Sequence, residues 1–170
     1  SPEDVVIVAG TQQGVSLAAR VLLNEGDTAA VEEPGYFSVR QTLHAHGARV
    51  VGVPVDRLGL VTDQLPERRP GMVFVTPSNQ FPLGAVMSQR RRQELLRYAE
   101  RHDTWIVEDD YDAEIRYDGR QVPALSALDK QRRVIFVGSF SKVLAPSLRL
   151  AYLVVPPALR NDFVHAKRLC

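Results

Sequence analysis

Residues 88–111 read SQRRRQELLRYAERHDTWIVEDDY, and this stretch decides the fold class. Ser88 to His102 predicts a helix, because apolar residues such as Leu95 and Ala99 recur at helical spacing among arginines and glutamates. Thr104 to Val107 is a continuous apolar run of strand length that ends in acidic residues. A strand without polar alternation that follows a helix is typical of a sheet buried on both faces.

The same alternation continues along the chain. Further runs that predict strands are Val5–Val8, Thr28–Glu32, Arg49–Val55, Met72–Thr76, Arg133–Val137 and Leu150–Val155. Helical patterns cover Gln13–Asn24 and Phe37–His46, and Gly47 suits the position after the second helix. We therefore predict a three-layer α/β/α fold with a mostly parallel, seven-stranded sheet. The last strand should run antiparallel, because Lys142 to Leu148 is shorter than the crossover of about a dozen residues that parallel strands need.

Composition narrows the class of protein. The 170 residues include 21 Lys or Arg and 20 Asp or Glu, so the net charge is +1 and gives no electrostatic case for nucleic acid or a membrane surface. The single cysteine, Cys170, cannot form an internal disulfide, which favours a reducing, cytoplasmic setting. No apolar run reaches the roughly 18–20 residues of a membrane span. We expect an internal segment of a longer protein, because Ser1 leads almost at once into a strand and the final helical pattern lacks a C-cap glycine.

Polar or reactive side chains follow five of the predicted strands. These strand ends are Gly10–Gly14, Glu32–Tyr36, Thr76–Gln80, Glu108–Tyr111 and Gly138–Lys142. In an open α/β sheet, ligands bind beyond the carboxyl ends of the strands. Five polar strand ends along one edge therefore indicate a site rather than ordinary loops.

The turn from Gly10 to Gly14 follows a strand and opens a helix. Free backbone N–H groups and the helix dipole favour a phosphate there, and the two glycines would let it approach. The alternative is a tight turn in which Thr11 is the N-cap. The turn matches neither the dinucleotide-binding fingerprint nor a P-loop.

Lys142 and Arg149 stand in a segment otherwise free of charge. A lysine at the carboxyl end of a strand can be partly desolvated and act as an amine nucleophile, whereas the alternative is a solvated surface lysine. The acidic run 108–112 could pair with a cationic ring nitrogen or bind a metal, or it could be a solvated loop. Metal is the weaker hypothesis, since no histidine lies near in sequence. We expect no metal site and assign the four histidines no catalytic role.

Four motifs together carry a family resemblance. They are EPGY (33–36), TPSNQFPLG (76–84), EDDYDAEIRY (108–117) and GSFSKVLAPSLR (138–149). This set resembles the large domain of fold-type I pyridoxal-phosphate enzymes, the aspartate aminotransferase superfamily. More narrowly, it resembles the aminotransferase-like domain of MocR-type regulators, in which that domain follows a DNA-binding domain of the GntR type. The pattern departs from those regulators at Asn79, Leu83 and Ala151, where histidine, a small polar residue and glycine are more usual.

The resemblance implies roles for individual residues. Lys142 would hold pyridoxal 5′-phosphate as a Schiff base, Asp109 would pair with the pyridinium nitrogen, and Tyr111 would hydrogen-bond the ring phenolate oxygen. Asn79 would reach the same oxygen, although the neighbouring Gln80 competes for that assignment, and Tyr36 would stack on the ring. The residues implied around the phosphate are Gly10, Thr11, Gln12, Ser139, Ser141 and Arg149. Lys142, Asp109 and Tyr111 would be the catalytic group.

The resemblance also implies an organisation. Residues 1–170 would be the central part of the large domain, with a DNA-binding or arm segment before them and a small domain after them, and the intact protein would be a homodimer. Its ligand would be an amino acid or amine, and DNA would be contacted only outside this chain. Three functions stay open: the effector domain of a regulator, a stand-alone aminotransferase, and a relative that binds no cofactor. The last is disfavoured by the intact set of Lys142, Asp109, Tyr111 and Arg149. The segment before Ser1 distinguishes the first two.

Overall fold

A computed structural model describes residues 1–111, 123–140 and 150–169. The described strands are β1 (Val5–Val8), β2 (Thr28–Glu33), β3 (Arg49–Asp56), β4 (Gly59–Leu60), β5 (Met72–Val75), β6 (Trp105–Asp110), β7 (Val134–Ser139) and β8 (Ala151–Val154). The described α-helices are α1 (Thr11–Leu22), α2 (Phe37–Ala45), α3 (Gln89–Arg101), α4 (Leu125–Leu128) and α5 (Arg160–Arg168). Short 3-10 helices cover Pro2–Asp4, Thr62–Gln64 and Pro157–Leu159.

The strands form one sheet in the order β1-β8-β7-β6-β5-β2-β3-β4. Strands β2, β3, β5, β6 and β7 pair in parallel, whereas β8 is antiparallel to both of its neighbours. The predicted fold class and the antiparallel last strand are therefore confirmed. The sheet gains one strand over the predicted seven, because Gly59 and Leu60 form a short antiparallel hairpin with the end of β3. Two residues are too few to give a strand pattern in the sequence.

Helices cover both faces of the sheet, as the continuous apolar strands predict. Helices α1, α2 and α5 bury residues such as Leu17, Leu43 and Phe163 in a core on one face. Helices α3 and α4 bury Leu95 and Leu125 in a core on the other face. In the described part of the chain, no helix has both the length and the apolar composition needed to cross a membrane.

The ends of the helices follow local sequence signals. Gly10, with φ of 88°, is the N-cap of α1, so Thr11 is the first helical residue and not the cap that the sequence allowed. Helix α3 begins after Ser88, whose hydroxyl accepts a hydrogen bond from the Arg91 N–H at 3.4 Å. Gly47 follows α2 with φ of 77°, a left-handed conformation that favours glycine, and this confirms its predicted position.

The connections place a crevice at the carboxyl ends of β2 and β5. These strands are neighbours in the sheet, yet the helix that follows β2 packs on one face and the helix that follows β5 packs on the other. Such a reversal leaves room between the departing loops, which is where open α/β sheets bind ligands. The fold therefore points to this edge as the place for a site.

Candidate functional site

A cavity of about 310 Å³ opens at this edge of the sheet. The described residues that line it are Thr11, Tyr36, Thr76, Phe81, Asp109 and Tyr111. They come from the ends of four strands: β1, β2, β5 and β6. The structure thus brings four of the residues predicted from the sequence, namely Thr11, Tyr36, Asp109 and Tyr111, to one cavity.

Three consecutive carboxyl groups at the end of β6 point to different places. Asp109 lines the cavity although it is only 5% exposed. Asp110 accepts a hydrogen bond from the Ser78 hydroxyl at 3.1 Å. Glu108 accepts hydrogen bonds from the N–H groups of Leu125 and Ser126, at 2.7 and 2.9 Å. All three are buried, so residues 108–110 are not part of a solvated loop, and strand alternation places only Asp109 of the three on the cavity side.

Burial also governs the charge of Glu108. Removal from water raises the pKa of Glu108, and the two backbone hydrogen bonds from α4 oppose that rise. Its carboxyl group ties the start of α4 to the centre of the sheet. Glu108 therefore supports the strand that carries Asp109 but does not itself line the cavity among the described residues.

The turn from Gly10 to Gly14 serves two purposes. Thr11 faces the cavity at the start of α1, while the side-chain amide of Gln12 donates to Thr42 Oγ1 and, at 3.4 Å, to the Ser38 carbonyl of α2. Gly14 is buried, and a Cβ there would stand 3.1 Å from Leu153 Cδ2. Gly14 therefore lets α1 pack closely against β8, and its expected role in the approach of a phosphate stays a prediction.

Two aromatic rings form the outer wall of the cavity. Tyr36 and Phe81 meet edge to face, with ring centroids 5.5 Å apart and an interplanar angle of 79°. They are 45% and 44% exposed, so both residues remain partly open to solvent. The sequence reasoning named Tyr36 but missed Phe81. Its available signal was its place in the motif 76–84, directly after the polar strand end Thr76–Gln80.

The loop after β5 separates the roles of Asn79 and Gln80. Asn79 is half-buried and is not among the described residues that line the cavity. Gln80 is fully buried, donates to the carbonyl oxygens of Pro34 and Phe81 at 2.8 and 2.5 Å, and accepts from the Leu83 N–H at 3.1 Å. The Gln80 side chain therefore shapes the loop and leaves the cavity to its neighbours.

Glu32, at the end of β2, is a buried acid that the sequence reasoning did not single out. Its Oε2 accepts hydrogen bonds from the Thr76 hydroxyl at 2.6 Å, the Thr76 N–H at 3.2 Å and the Gln80 amide at 3.3 Å. Burial raises the pKa of Glu32 from its ordinary value of 4.5 to about 6, against the lowering effect of these hydrogen bonds. A charged residue at the end of an apolar strand was the available signal.

Arg92 of α3 supports the same loop from the opposite face. Its guanidinium group is fully buried and donates to the carbonyl oxygens of Met87, Pro77 and Pro123, at 3.0, 2.6 and 2.9 Å. One side chain thus connects the loop after β5 with the residue just before α4. The amphipathic helix pattern did not distinguish Arg92 from the exposed Arg90 or from Arg91, which is also buried.

Several predicted site residues lie outside this description. Ser141, Lys142 and Arg149, together with Asp112 of the acidic run, fall outside the described residues. Ser139 is half-buried at the end of β7. Across residues 1–111, 123–140 and 150–169, no group of three or more His, Cys, Asp or Glu side chains could hold a metal ion.

The sequence of this chain is similar to those of aminotransferases and of aminotransferase-like regulators. The family model "Aminotransferase class I and II" matches residues 1–169. The probable rhizopine catabolism regulatory protein MocR of Rhizobium meliloti is 48% identical over 163 residues, which are 96% of this chain and 33% of that protein. Aromatic-amino-acid aminotransferase 1 of Thermococcus litoralis is 35% identical over 99% of this chain and 42% of that protein.

A solved structure gives the same likeness in three dimensions. LysN, the α-aminoadipate aminotransferase of Thermus thermophilus complexed with N-(5′-phosphopyridoxyl)-L-leucine, superposes with a TM-score of 0.92 at 34% identity. The superposition covers 98% of this chain and 45% of that one. The chain therefore spans about a third of the regulator and less than half of the aminotransferases that it resembles.

Proposed function

Because the chain belongs to the class I and II aminotransferase family, we propose that it is the pyridoxal-phosphate-binding effector domain of a MocR-type transcriptional regulator. In this proposal, residues 1–170 are the central part of the large domain. DNA contact and the remainder of the ligand site belong to other parts of a longer, homodimeric, cytoplasmic protein. The ligand is an amino acid or another amine.

The observation that carries the proposal is the meeting of four side chains of three chemical types on one cavity. A buried carboxyl group, two phenol rings and the first residue of a twelve-residue helix line about 310 Å³ of space. Pyridoxal phosphate needs a partner for a ring nitrogen, one for a ring oxygen, a flat apolar surface, and N–H groups for a phosphate. The donor set of Asp109, Tyr111, Tyr36 and Thr11 fits each of these needs.

Each residue then has a physical task. The Asp109 carboxylate would favour a proton on the ring nitrogen, since an opposite charge at a buried site stabilises the charged form. Tyr111, which lines the same cavity, would donate to the neighbouring ring oxygen, and the ring of Tyr36 would offer a stacking surface. The start of α1 would complement the phosphate dianion, and the family resemblance implies the same role for Arg149, Ser139 and Ser141. When bound, pyridoxal phosphate supplies an electron sink for the carbon that bears the amine.

Sequence identity favours a regulator over the alternative of a stand-alone aminotransferase. Five curated relatives named as regulators are 37–48% identical, while three named as aminotransferases or transaminases are 29–35% identical. Three of the five carry the words "HTH-type transcriptional regulator" in their names, which supports a DNA-binding domain elsewhere in the protein.

The test uses the three lysines of this chain, which are Lys130, Lys142 and Lys167. In the intact protein loaded with pyridoxal phosphate, Lys142→Ala should abolish the visible absorbance and its loss on borohydride treatment. Lys130→Ala and Lys167→Ala are matched controls and should retain both. Borohydride-sensitive absorbance that survives in Lys142→Ala would show that another lysine holds the cofactor.

A second measurement distinguishes a regulator from an enzyme. Amino compounds are screened for a change in the visible spectrum, and each active compound is then tested for its effect on the affinity of the intact protein for its own promoter DNA. A regulator should change its DNA affinity with little keto-acid product. Rapid keto-acid formation without DNA binding would favour the aminotransferase.

A further inference from the structure

The two rings of the aromatic wall come from different loops, and the contacts that join those loops lie beneath the cavity. Tyr36 follows β2 and Phe81 follows β5. Only an edge contact at 5.5 Å joins the rings themselves, and both are nearly half exposed. A single edge contact between two half-exposed rings is weak and cannot by itself fix two loops.

Glu32 provides the firmer connection. Its side chain is 4% exposed, and its Oε2 accepts three hydrogen bonds from the loop after β5, two from Thr76 and one from Gln80. Its Oε1 is buried and has no hydrogen-bond partner among the described residues. Among the described residues, the side chain of Glu32 therefore forms hydrogen bonds only with the loop after β5.

Thr76 and Gln80 pass the connection on to both rings. The Thr76 hydroxyl also accepts from the Phe81 N–H at 3.3 Å. The Gln80 amide donates to the carbonyl oxygen of Pro34, two residues before Tyr36, and to that of Phe81 itself. A continuous chain of hydrogen bonds thus runs from Glu32 to the backbone on either side of the aromatic wall.

We propose that Glu32 is a positioning residue of the cavity, which sets the spacing of Tyr36 and Phe81 through Thr76 and Gln80. The width of the cavity at its open side then depends on a carboxylate that does not line it among the described residues. The inference rests on the proposed function only for the identity of the ligand. The spacing of the two rings is a property of the chain itself.

The experiment reads the spacing directly. The intact protein is labelled with 3-fluorotyrosine, and the ¹⁹F resonance of Tyr36 is assigned by its loss in Tyr36→Phe. Phe81→Leu then gives the resonance position without the neighbouring ring. All spectra are recorded at pH 8, and the affinity for pyridoxal phosphate is measured in parallel by titration of the visible absorbance.

Two variants of Glu32 and one matched control form the series. Glu32→Leu should move the Tyr36 resonance toward its position in Phe81→Leu and weaken cofactor affinity about tenfold, since a hydrogen bond to a charged group contributes about that factor. Glu32→Gln keeps an acceptor oxygen and should restore most of both. Glu33→Gln changes the adjacent glutamate, which is exposed and pairs with Arg40, and should change neither.

The outcomes separate the inference from simpler explanations. If Glu32→Leu does not fold, Thr76→Val removes the hydroxyl at 2.6 Å with little change of shape, and it should move the resonance in the same direction. A wild-type Tyr36 resonance in a folded Glu32→Leu or Thr76→Val protein would overturn the proposal, even where stability or affinity had fallen. Failure of the wild-type protein to bind pyridoxal phosphate would refute the proposed function, while the resonance would still decide the role of Glu32.

Discussion

Replacing Glu32 with glutamine should remove a specific pH dependence of stability. Burial raises the pKa of Glu32 in the folded protein to about 6, from the ordinary 4.5 that applies to the unfolded chain. The folded state therefore binds this proton more tightly than the unfolded state does. The resulting stabilisation is fully present below pH 4.5 and is lost as the pH rises through about 6.

The size of the effect follows from the two pKa values. A difference of about 1.5 units corresponds to about 2 kcal/mol in the free energy of unfolding, at 1.36 kcal/mol per unit. Because Glu32 is almost fully buried, solvent screening does not reduce this figure much. Between pH 4.5 and pH 7.5, the wild type should lose about 2 kcal/mol relative to Glu32→Gln.

Urea unfolding of the intact protein at pH 4.5, 6 and 7.5 measures this difference, because the other titrating groups are shared and cancel. Trp105 is the single tryptophan of this chain and provides a fluorescence probe. Glu33→Gln is the control: its exposed pair with Arg40 should contribute at most about 1 kcal/mol, without the same loss on raising the pH. A gap between wild type and Glu32→Gln that stays constant with pH, or that changes in the opposite direction, would refute the reasoning.

Two further predictions test residues at the cavity and beneath it. Asp109→Asn in the intact protein should largely stop solvent exchange of the α-proton of a bound amino acid. Asp110→Asn should have a much smaller effect, because Asp110 is hydrogen-bonded to Ser78. If Asp110→Asn stops the exchange and Asp109→Asn does not, Asp110 and not Asp109 is the partner of the ring nitrogen. Arg92→Met leaves three carbonyl acceptors without their donor and should lower the free energy of unfolding by about 3 kcal/mol or more, measured by urea unfolding. Arg90→Met on the exposed side of the same helix is its control, and an equal loss there would contradict this reading.

The sheet could be predicted from sequence because its signals are local. Each main strand is a continuous apolar run, and the direction of β8 follows from the shortness of the connection before it. The separation of Asp109 from Asp110 is equally local, since neighbouring residues of a strand face opposite sides. The hairpin strand β4 could not be predicted in this way, because two residues are too few to show a hydrophobic pattern typical of a strand.

The support of the cavity could not be predicted because it depends on residues far apart in sequence. Glu32 and Gln80 come into contact only because β2 and β5 are neighbours in the sheet. A glutamate or glutamine in a sequence does not indicate that its side chain is buried and hydrogen-bonded. Arg92 lies in a run of three arginines, of which Arg90 is exposed and Arg91 is also buried, so only its contacts with Pro77 and Pro123 identify it. Gly14 shows the same limit: its position after a strand suggested ligand approach, while its neighbours make it a packing residue.

The antiparallel strand β8 also determines the order in which the molecule can assemble. In the described sheet, β1 pairs only with β8. Val5, near the start of the chain, therefore pairs with Val154, near its end. We therefore expect strands β2, β3, β5 and β6 to pair earlier during synthesis and β1, the first strand made, to be among the last incorporated. Pairings of such long sequence separation are slow to form. Because Thr11 follows β1 directly, we expect the part of the cavity that Thr11 lines to form only after β8 has been synthesised.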